Sequence, residues 1–227
     1  MDPDGAQWVP VTPLAPDIAA LKDLLLRMAS LSEGMVQRSV RALVERDDEL
    51  ARAAMAEDDR LDQLEKEIDE SSMTLLTKAP LAGQLRLIIV VLKITRDLER
   101  IGDESTTIAR RAIELGREPQ LKPYMDIPRM TELATAMLRE ALDAFVLGDT
   151  ALAREIIPRD KQVDALNRQL HRELASYMIE APANISRCLH LMTISKSLER
   201  IADHAKNIAE EAVYLYEAKD IRHSGRA

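Results

Sequence analysis

Glycine, aromatic side chains and cysteine are all scarce in this chain. Of its 227 residues only 7 are Gly, and Phe, Trp and Tyr together make up 3%. Sheet sandwiches and barrels draw on aromatic and β-branched residues and on Gly-rich turns, so an all-β architecture is excluded first. The one cysteine, Cys188, closes no internal disulfide. It reads as a small packing residue in a chain suited to a reducing cytoplasm. Excess positive charge is missing too: the formal net charge is −8 and the pI is near 5.2. No run of Lys and Arg offers the footprint that phosphate backbones require, so no nucleic-acid partner is expected. A cationic membrane-surface face is equally absent. The longest apolar run, Leu87 to Leu92, falls far short of the ~18 residues of a membrane span. Met1-Asp2-Pro3-Asp4-Gly5 lacks the basic and apolar regions of a signal peptide. A cytoplasmic protein without direct membrane insertion is the expectation.

What is present is the vocabulary of helices. The chain is 46% apolar and 31% charged, rich in Ala, Leu, Glu and Arg, which favours an all-α fold of packed bundles. Four prolines within residues 1–16 predict an extended N-terminal arm. Helical periodicity then begins near Asp17, a candidate N-cap, and runs to about Arg46, where Asp47 and Asp48 mark a break. A second helix is predicted over 49–78, ending before Pro80, and a third over 82–116, with Gly116 as its stop. Residues 117–128 hold Pro119, Pro123 and Pro128 and read as a linker. The same order then returns over 129–223: a helix at 129–147, a break at Gly148-Asp149, a helix at 150–180, Pro182, and a helix at 184–218.

That return is a duplication. A shift of 102 superposes Val44, Asp47, Leu50, Ala51 and Arg52 on Val146, Asp149, Leu152, Ala153 and Arg154. It also pairs Asp58, Asp62, Leu64 and Pro80 with Asp160, Asp164, Leu166 and Pro182. With a shift of 100, Leu98-Glu99-Arg100-Ile101 and Asp103 match Leu198-Glu199-Arg200-Ile201 and Asp203. Each third helix carries an apolar stripe with alternating steps of three and four. Val91, Ile94, Leu98, Ile101, Ser105, Ile108 and Ala112 form one, and Leu191, Ile194, Leu198, Ile201, Ala205, Ile208 and Ala212 the other. The expected fold is two tandem, duplicated three-helix bundles, each spectrin-like in its up-down-up order.

Four acids stay in place in each copy. Asp58 and Asp62, then Asp160 and Asp164, lie on the second helices; Glu99 and Asp103, then Glu199 and Asp203, lie on the third. Residues four apart share a helix face, so each pair sets two carboxylates side by side. Like charges at that spacing cost roughly 0.2–0.5 kcal/mol, a sign that a bound cation reverses. At about 100° per residue, Glu99 and Asp103 fall about 130° and 170° from the core direction, so the acids are expected to face outward. Two readings stand at this point: solvated faces, with Arg96, Arg100, Lys196 and Arg200 as ordinary ion-pair partners, or an all-oxygen site for Mg, Mn or iron rather than thiolate-type zinc.

Other candidates carry less. His204 beside Asp203 reads as a surface histidine, with peripheral ligation as the alternative. Asn207 extends the same face with an amide, where the first copy has Thr107. His171, His190 and His223 read as structural or surface residues. Met28, Met35, Met130 and Met137 sit at core spacing, and Arg86 and Arg187 suit surface ion pairs or an anion.

The strings Leu98-Glu99-Arg100-Ile101-Gly102-Asp103 and Leu198-Glu199-Arg200-Ile201-Ala202-Asp203-His204-Ala205-Lys206-Asn207 resemble the signature of the PhoU family. Pro80-Leu81-Ala82-Gly83-Gln84-Leu85-Arg86 and Tyr214-Leu215-Tyr216-Glu217-Ala218-Lys219-Asp220 are similar to that family as well. The resemblance covers about residues 17–223. It implies two PhoU bundles packed side by side, with surface metal, often iron and otherwise Mg, Mn or Zn. The implied ligands are Asp58, Asp62, Glu99 and Asp103 in one copy and Asp160, Asp164, Glu199 and Asp203 in the other. It further implies a homodimeric negative regulator of the phosphate-starvation response. The implied partners are a phosphate ABC transporter ATPase and a membrane sensor histidine kinase. The first copy lacks counterparts of His204 and Asn207, which predicts a weaker or different metal site there.

The alternatives are a carboxylate-bridged di-metal enzyme and a helical scaffold or metal-binding protein without phosphate signalling. The enzyme needs inward Glu residues and an E-x-x-H pair. The only acid-x-x-His here is Asp220-x-x-His223, at the chain end, so a non-catalytic protein is expected.

Overall fold

The computed structural model describes residues 14–78 and 81–222. The arm before Leu14, Pro80 and His223 therefore lie outside the described residues. Among the described residues every regular element is helical. The first half holds α1 (Ala15–Glu45), α2 (Asp48–Ala56), α3 (Asp58–Leu76) and α4 (Ala82–Gly116). The second holds α5 (Asp126–Leu147), α6 (Thr150–Ile156), α7 (Asp160–Glu180) and α8 (Ile185–Glu217), with 3-10 turns at Ile157–Arg159 and Pro182–Asn184. Two tandem three-helix bundles result, the middle member of each built from two helices end to end.

The helix ends depart from the sequence reading for local reasons. α1 starts at Ala15 rather than Asp17, and α5 at Asp126 rather than 129, because Pro16 and Pro128 stand in first turns. A first-turn proline loses no helical hydrogen bond, since its N–H would have had no partner there. Each middle helix, expected to be continuous, is interrupted at Glu57 in one half and at Ile157–Arg159 in the other. Asp47 caps α2 and Asp149 caps α6, their carboxylates accepting from the Leu50 and Leu152 amides at 2.9 Å. The reversals before them pass through left-handed backbone at Arg46 (φ 57°) and Gly148 (φ 73°). At Gly148 a Cβ would also stand 3.1 Å from the Tyr216 ring, so glycine serves two ends there.

Both predicted stripes on α4 and α8 are buried along their whole length, as are the four methionines and Cys188. The apolar core is continuous through both halves. α4 and α8 run antiparallel along the seam: Arg86, near the start of α4, donates to the Leu215 carbonyl near the end of α8 at 3.3 Å. Further along, Lys93 Nζ lies 3.0 Å from both Glu211 carboxylate oxygens. Arg200 meets Glu104 at 2.9 Å.

One ion pair recurs with its polarity reversed. Arg38 of α1 pairs with Glu57, and at the duplicate positions Glu140 of α5 pairs with Arg159. The place is kept while the charges trade sides.

Candidate metal centre

The interruptions in the middle helices decide where the acids stand. They make Asp58 and Asp160 the first residues of α3 and α7, where a negative charge is favoured by the helix dipole. Asp62 and Asp164 lie one turn later. α4 and α8 bring Glu99 with Asp103, and Glu199 with Asp203, against these starts.

In the first half the approach is closest at Gly102. A Cβ added there would lie 2.2 Å from Leu61 Cδ2 and 3.7 Å from Asp58 Oδ1. The acids feel one another across this contact. Burial first, then Asp62 and Asp103, raise the Asp58 carboxyl above its ordinary range, against a lowering by a Thr106 hydrogen bond. Burial and Asp103 raise Glu99, with Arg100 pulling the other way. Glu65, which the sequence reading passed over, belongs to the same cluster: burial, Asp69 and Asp62 raise it. Its counterpart 102 residues on is Asn167, so a search for acids shared by both copies misses it. Its i+3 spacing from Asp62 was the available signal.

The second cluster is built differently. Asp160 is 7% exposed. Its Oδ2 accepts from Lys206 Nζ at 2.6 Å, while its buried Oδ1 has no hydrogen-bond partner. Burial and Glu199 raise the Asp203 carboxyl, Lys206 opposes, and Asp164 and Asp160 raise it further. In place of Glu65, Asn167 accepts from the Ser195 hydroxyl at 2.8 Å, with His171 Nε2 at 3.2 Å from the same hydroxyl oxygen. The second cluster thus carries one acid fewer than the first and a tethered ammonium as well.

The expected outward disposition needs correcting. Only Asp62 and Asp103 are exposed; Asp58, Glu99, Asp164, Glu199 and Asp203 are half-buried and Asp160 is buried. A helical wheel measures the angle from one core direction and does not see the neighbouring helix that covers the flank. His204 likewise does not join the second cluster. Its Nδ1 lies 2.8 Å from Asp97 Oδ1 across the seam, and Asn207 offers that oxygen its amide nitrogen at 3.2 Å. His190 lies 3.2 Å from Glu114. Arg187 donates to the Pro119 carbonyl at 2.9 Å and to Asn184 at 2.6 Å, so it holds the inter-half connection.

The donor set is chemically suited to a hard cation: carboxylates only, short of counter-charge in the first cluster, and with an orphaned buried oxygen in the second. As the side chains stand, Arg100 holds Asp103 at 3.0 Å and Glu99 at 3.3 Å. Lys196 holds Glu199. In these positions no group of three or more His, Cys, Asp or Glu among the described residues is arranged to hold a metal ion. Also among the described residues, no helix is long and apolar enough to cross a membrane.

Comparison with known proteins bears on both halves. The family profile described as PhoU domain matches residues 25–112 and again 127–212. The phosphate-specific transport system accessory protein PhoU homolog of Pseudomonas putida is 41% identical over 211 residues, covering 92% of this chain and 82% of its own. That of Aquifex aeolicus is 40% identical over 208 residues, covering 91% and 94%. Among solved structures, PhoU from Pseudomonas aeruginosa superposes with a TM-score of 0.88 at 40% identity, covering 91% of this chain and all of that one. The phosphate transport system regulatory protein PhoU from Streptococcus pneumoniae gives 0.85 at 28% identity, covering 91% and 98%.

Proposed function

The chain belongs to the PhoU family of non-catalytic phosphate-signalling regulators, and from that premise we propose that it is a negative regulator of the phosphate-starvation response, acting in the cytoplasm as a homodimer. Its partners in this reading are the ATPase of a phosphate ABC transporter and a membrane sensor histidine kinase. The observation that carries it is the match of both halves to one family, on a fold that superposes on a solved PhoU structure over 91% of the chain. Loss of the chain is expected to leave phosphate-starvation genes expressed when phosphate is plentiful, and the purified chain is expected to retain the transporter ATPase on a column. Normal repression without it, together with no retention, would reduce it to a helical scaffold.

The same reading gives the acids a ligand. Asp58, Asp62, Glu99 and Asp103 would hold a divalent or trivalent cation in the first half, iron foremost, and Asp160, Asp164, Glu199 and Asp203 in the second. Mg, Mn and Zn are the alternatives. Such an ion supplies positive charge that offsets carboxylate repulsion and ties α3 to α4, or α7 to α8. Against the expectation of a weaker first site, the first cluster is the stronger candidate. His204 and Asn207 turn to Asp97 and add nothing to the second cluster. Glu65 adds a carboxylate to the first, and Thr106 stands there in place of Lys206. Metal content of the purified native chain beside an Asp103→Ala/Asp203→Ala double variant tests this. Metal that co-purifies with the native chain and disappears from the variant makes these carboxylates ligands. Two metal-free preparations that take up no added ion make them ion-paired helix flanks.

A further inference from the structure

An open groove of about 360 Å³ lies between α1 and α3 of the first half, lined by Arg27, Ser30, Leu31, Arg38, Glu57, Arg60 and Leu64. It sets three guanidinium groups against one carboxylate, on a chain whose formal net charge is −8. The one carboxylate is already committed, since Glu57 pairs with Arg38. Arg27 and Arg60, both exposed, form no ion pair and no side-chain hydrogen bond among the described residues.

Arg38 itself is incompletely satisfied. Its Nε is buried with no hydrogen-bond partner, and burial together with Arg41 pulls the guanidinium below its ordinary range despite the Glu57 contact. Its head group folds back over α1, where a Cβ at position 34 would stand 3.0 Å from an Arg38 terminal nitrogen; Gly34 leaves that room. The duplicate half does not repeat the arrangement. At the positions of Ser30, Arg38 and Arg60 it has Glu132, Glu140 and Gln162, leaving Arg129 and Arg159 among acids. The concentration of arginine is a property of the first half alone.

A larger groove along the α4–α8 seam, about 550 Å³, is also basic, but most of its cations are matched. There Lys93 meets Glu211, Lys206 meets Asp160, and Arg100 meets Glu99 and Asp103. In the α1–α3 groove two of the three arginines, Arg27 and Arg60, have no ion-pair partner among the described residues.

Planar guanidinium groups match the paired oxygens of a tetrahedral oxyanion, and several converging arginines form the usual recognition set for phosphoryl groups. We propose that the α1–α3 groove is a binding site for a phosphoryl oxyanion, either free phosphate or the phosphate of a small ester such as a nucleotide. Arg27 and Arg60 grip it from the two helices, the Ser30 hydroxyl is a further donor, and Arg38, already paired with Glu57, adds positive field at the groove floor. The acid clusters play no part in this site, and it stands or falls apart from the regulatory reading.

Equilibrium dialysis and calorimetry on the full chain, stripped with a chelator so that no metal carries the anion, decide the matter. Inorganic phosphate and ATP are titrated separately into wild type, Arg27→Ala, Arg60→Ala, the double variant and Arg129→Ala. Saturable binding of phosphate identifies the free ion as ligand, and binding of ATP alone identifies the ester. Each single variant is expected to weaken binding about tenfold, the double variant to abolish it, and Arg129→Ala to leave it unchanged. Both arginines are exposed, so circular dichroism should show all the variants folded; Arg38 is left intact because its pairing with Glu57 supports the fold. No saturable binding of either anion in the millimolar range, or binding that survives the double variant, overturns the site.

Discussion

Lys206 is the residue whose removal says most about the second acid cluster. Its ammonium serves Asp160, and that hydrogen bond, ahead of burial, sets its titration above the ordinary lysine range. Lys206→Ala leaves a buried carboxylate with neither oxygen paired. The expected cost is about 1.5–3 kcal/mol in urea unfolding, the scale of a lost hydrogen bond to a charged group. If the cluster accepts cations, added Mn²⁺ restores much of that loss in the variant and little in wild type; no rescue marks the site as a plain ion pair. A second expectation concerns pH. Asp58, Glu65 and Glu99 are all raised in the folded chain. A raised acid stabilises the fold below its unfolded value, and that contribution is lost as pH climbs through the folded one. The metal-free protein should therefore lose stability from the ordinary carboxylate range upward, and Asp58→Asn/Glu99→Gln should flatten that slope. Unfolding midpoints measured across pH, with and without a chelator, check it; parallel curves for wild type and variant would contradict it.

At the level of helices, the contact of α3 with α4 depends on one missing methyl. Gly102→Ala brings a Cβ to 2.2 Å from Leu61 Cδ2, and Leu61 is 1% exposed with little room to yield. The overpacking cost of about 1–3 kcal/mol exceeds the ~1 kcal/mol gained in helix propensity. A net loss of about 1 kcal/mol is expected by urea unfolding, with weaker cation retention at the first cluster if the acids are ligands. The duplicate position carries Ala202, so α7 and α8 have settled without that approach. Here too lies the limit of what the sequence discloses. The third helices were legible end to end, because seven-member stripes from Val91 to Ala112 and from Leu191 to Ala212 leave one buried face. The helix starts were not, because Pro16 and Pro128 read as breakers when each sits harmlessly in a first turn. The middle-helix breaks were obscured too: Glu57 carries no glycine or proline beside it, and Pro158 alone hinted at the 3-10 turn. For the acids, retention between copies found eight, while burial and the presence of Glu65 depended on how close a neighbouring helix comes.

For the whole molecule, the seam between α4 and α8 makes the halves interdependent. Each stripe is buried along its length, and Glu211, 4% exposed, answers to Lys93 from the other half. The chain should accordingly melt in one cooperative transition, with calorimetric and van't Hoff enthalpies equal. Two resolved transitions would show the bundles to be separate folding units. A chain made of near copies also faces a hazard that simpler chains escape. As it leaves the ribosome, α1 meets its own α3 long before α7 exists, but on refolding either first helix could seat against either partner. The reversed pair Arg38–Glu57 and Glu140–Arg159 weighs against the crossed arrangement. A crossed assembly would place Arg38 against Arg159 and Glu140 against Glu57, two repulsions in exchange for two attractions. The swap of polarity thus works as an address label, steering each helix to its own bundle and keeping an internally repetitive chain from exchanging its parts.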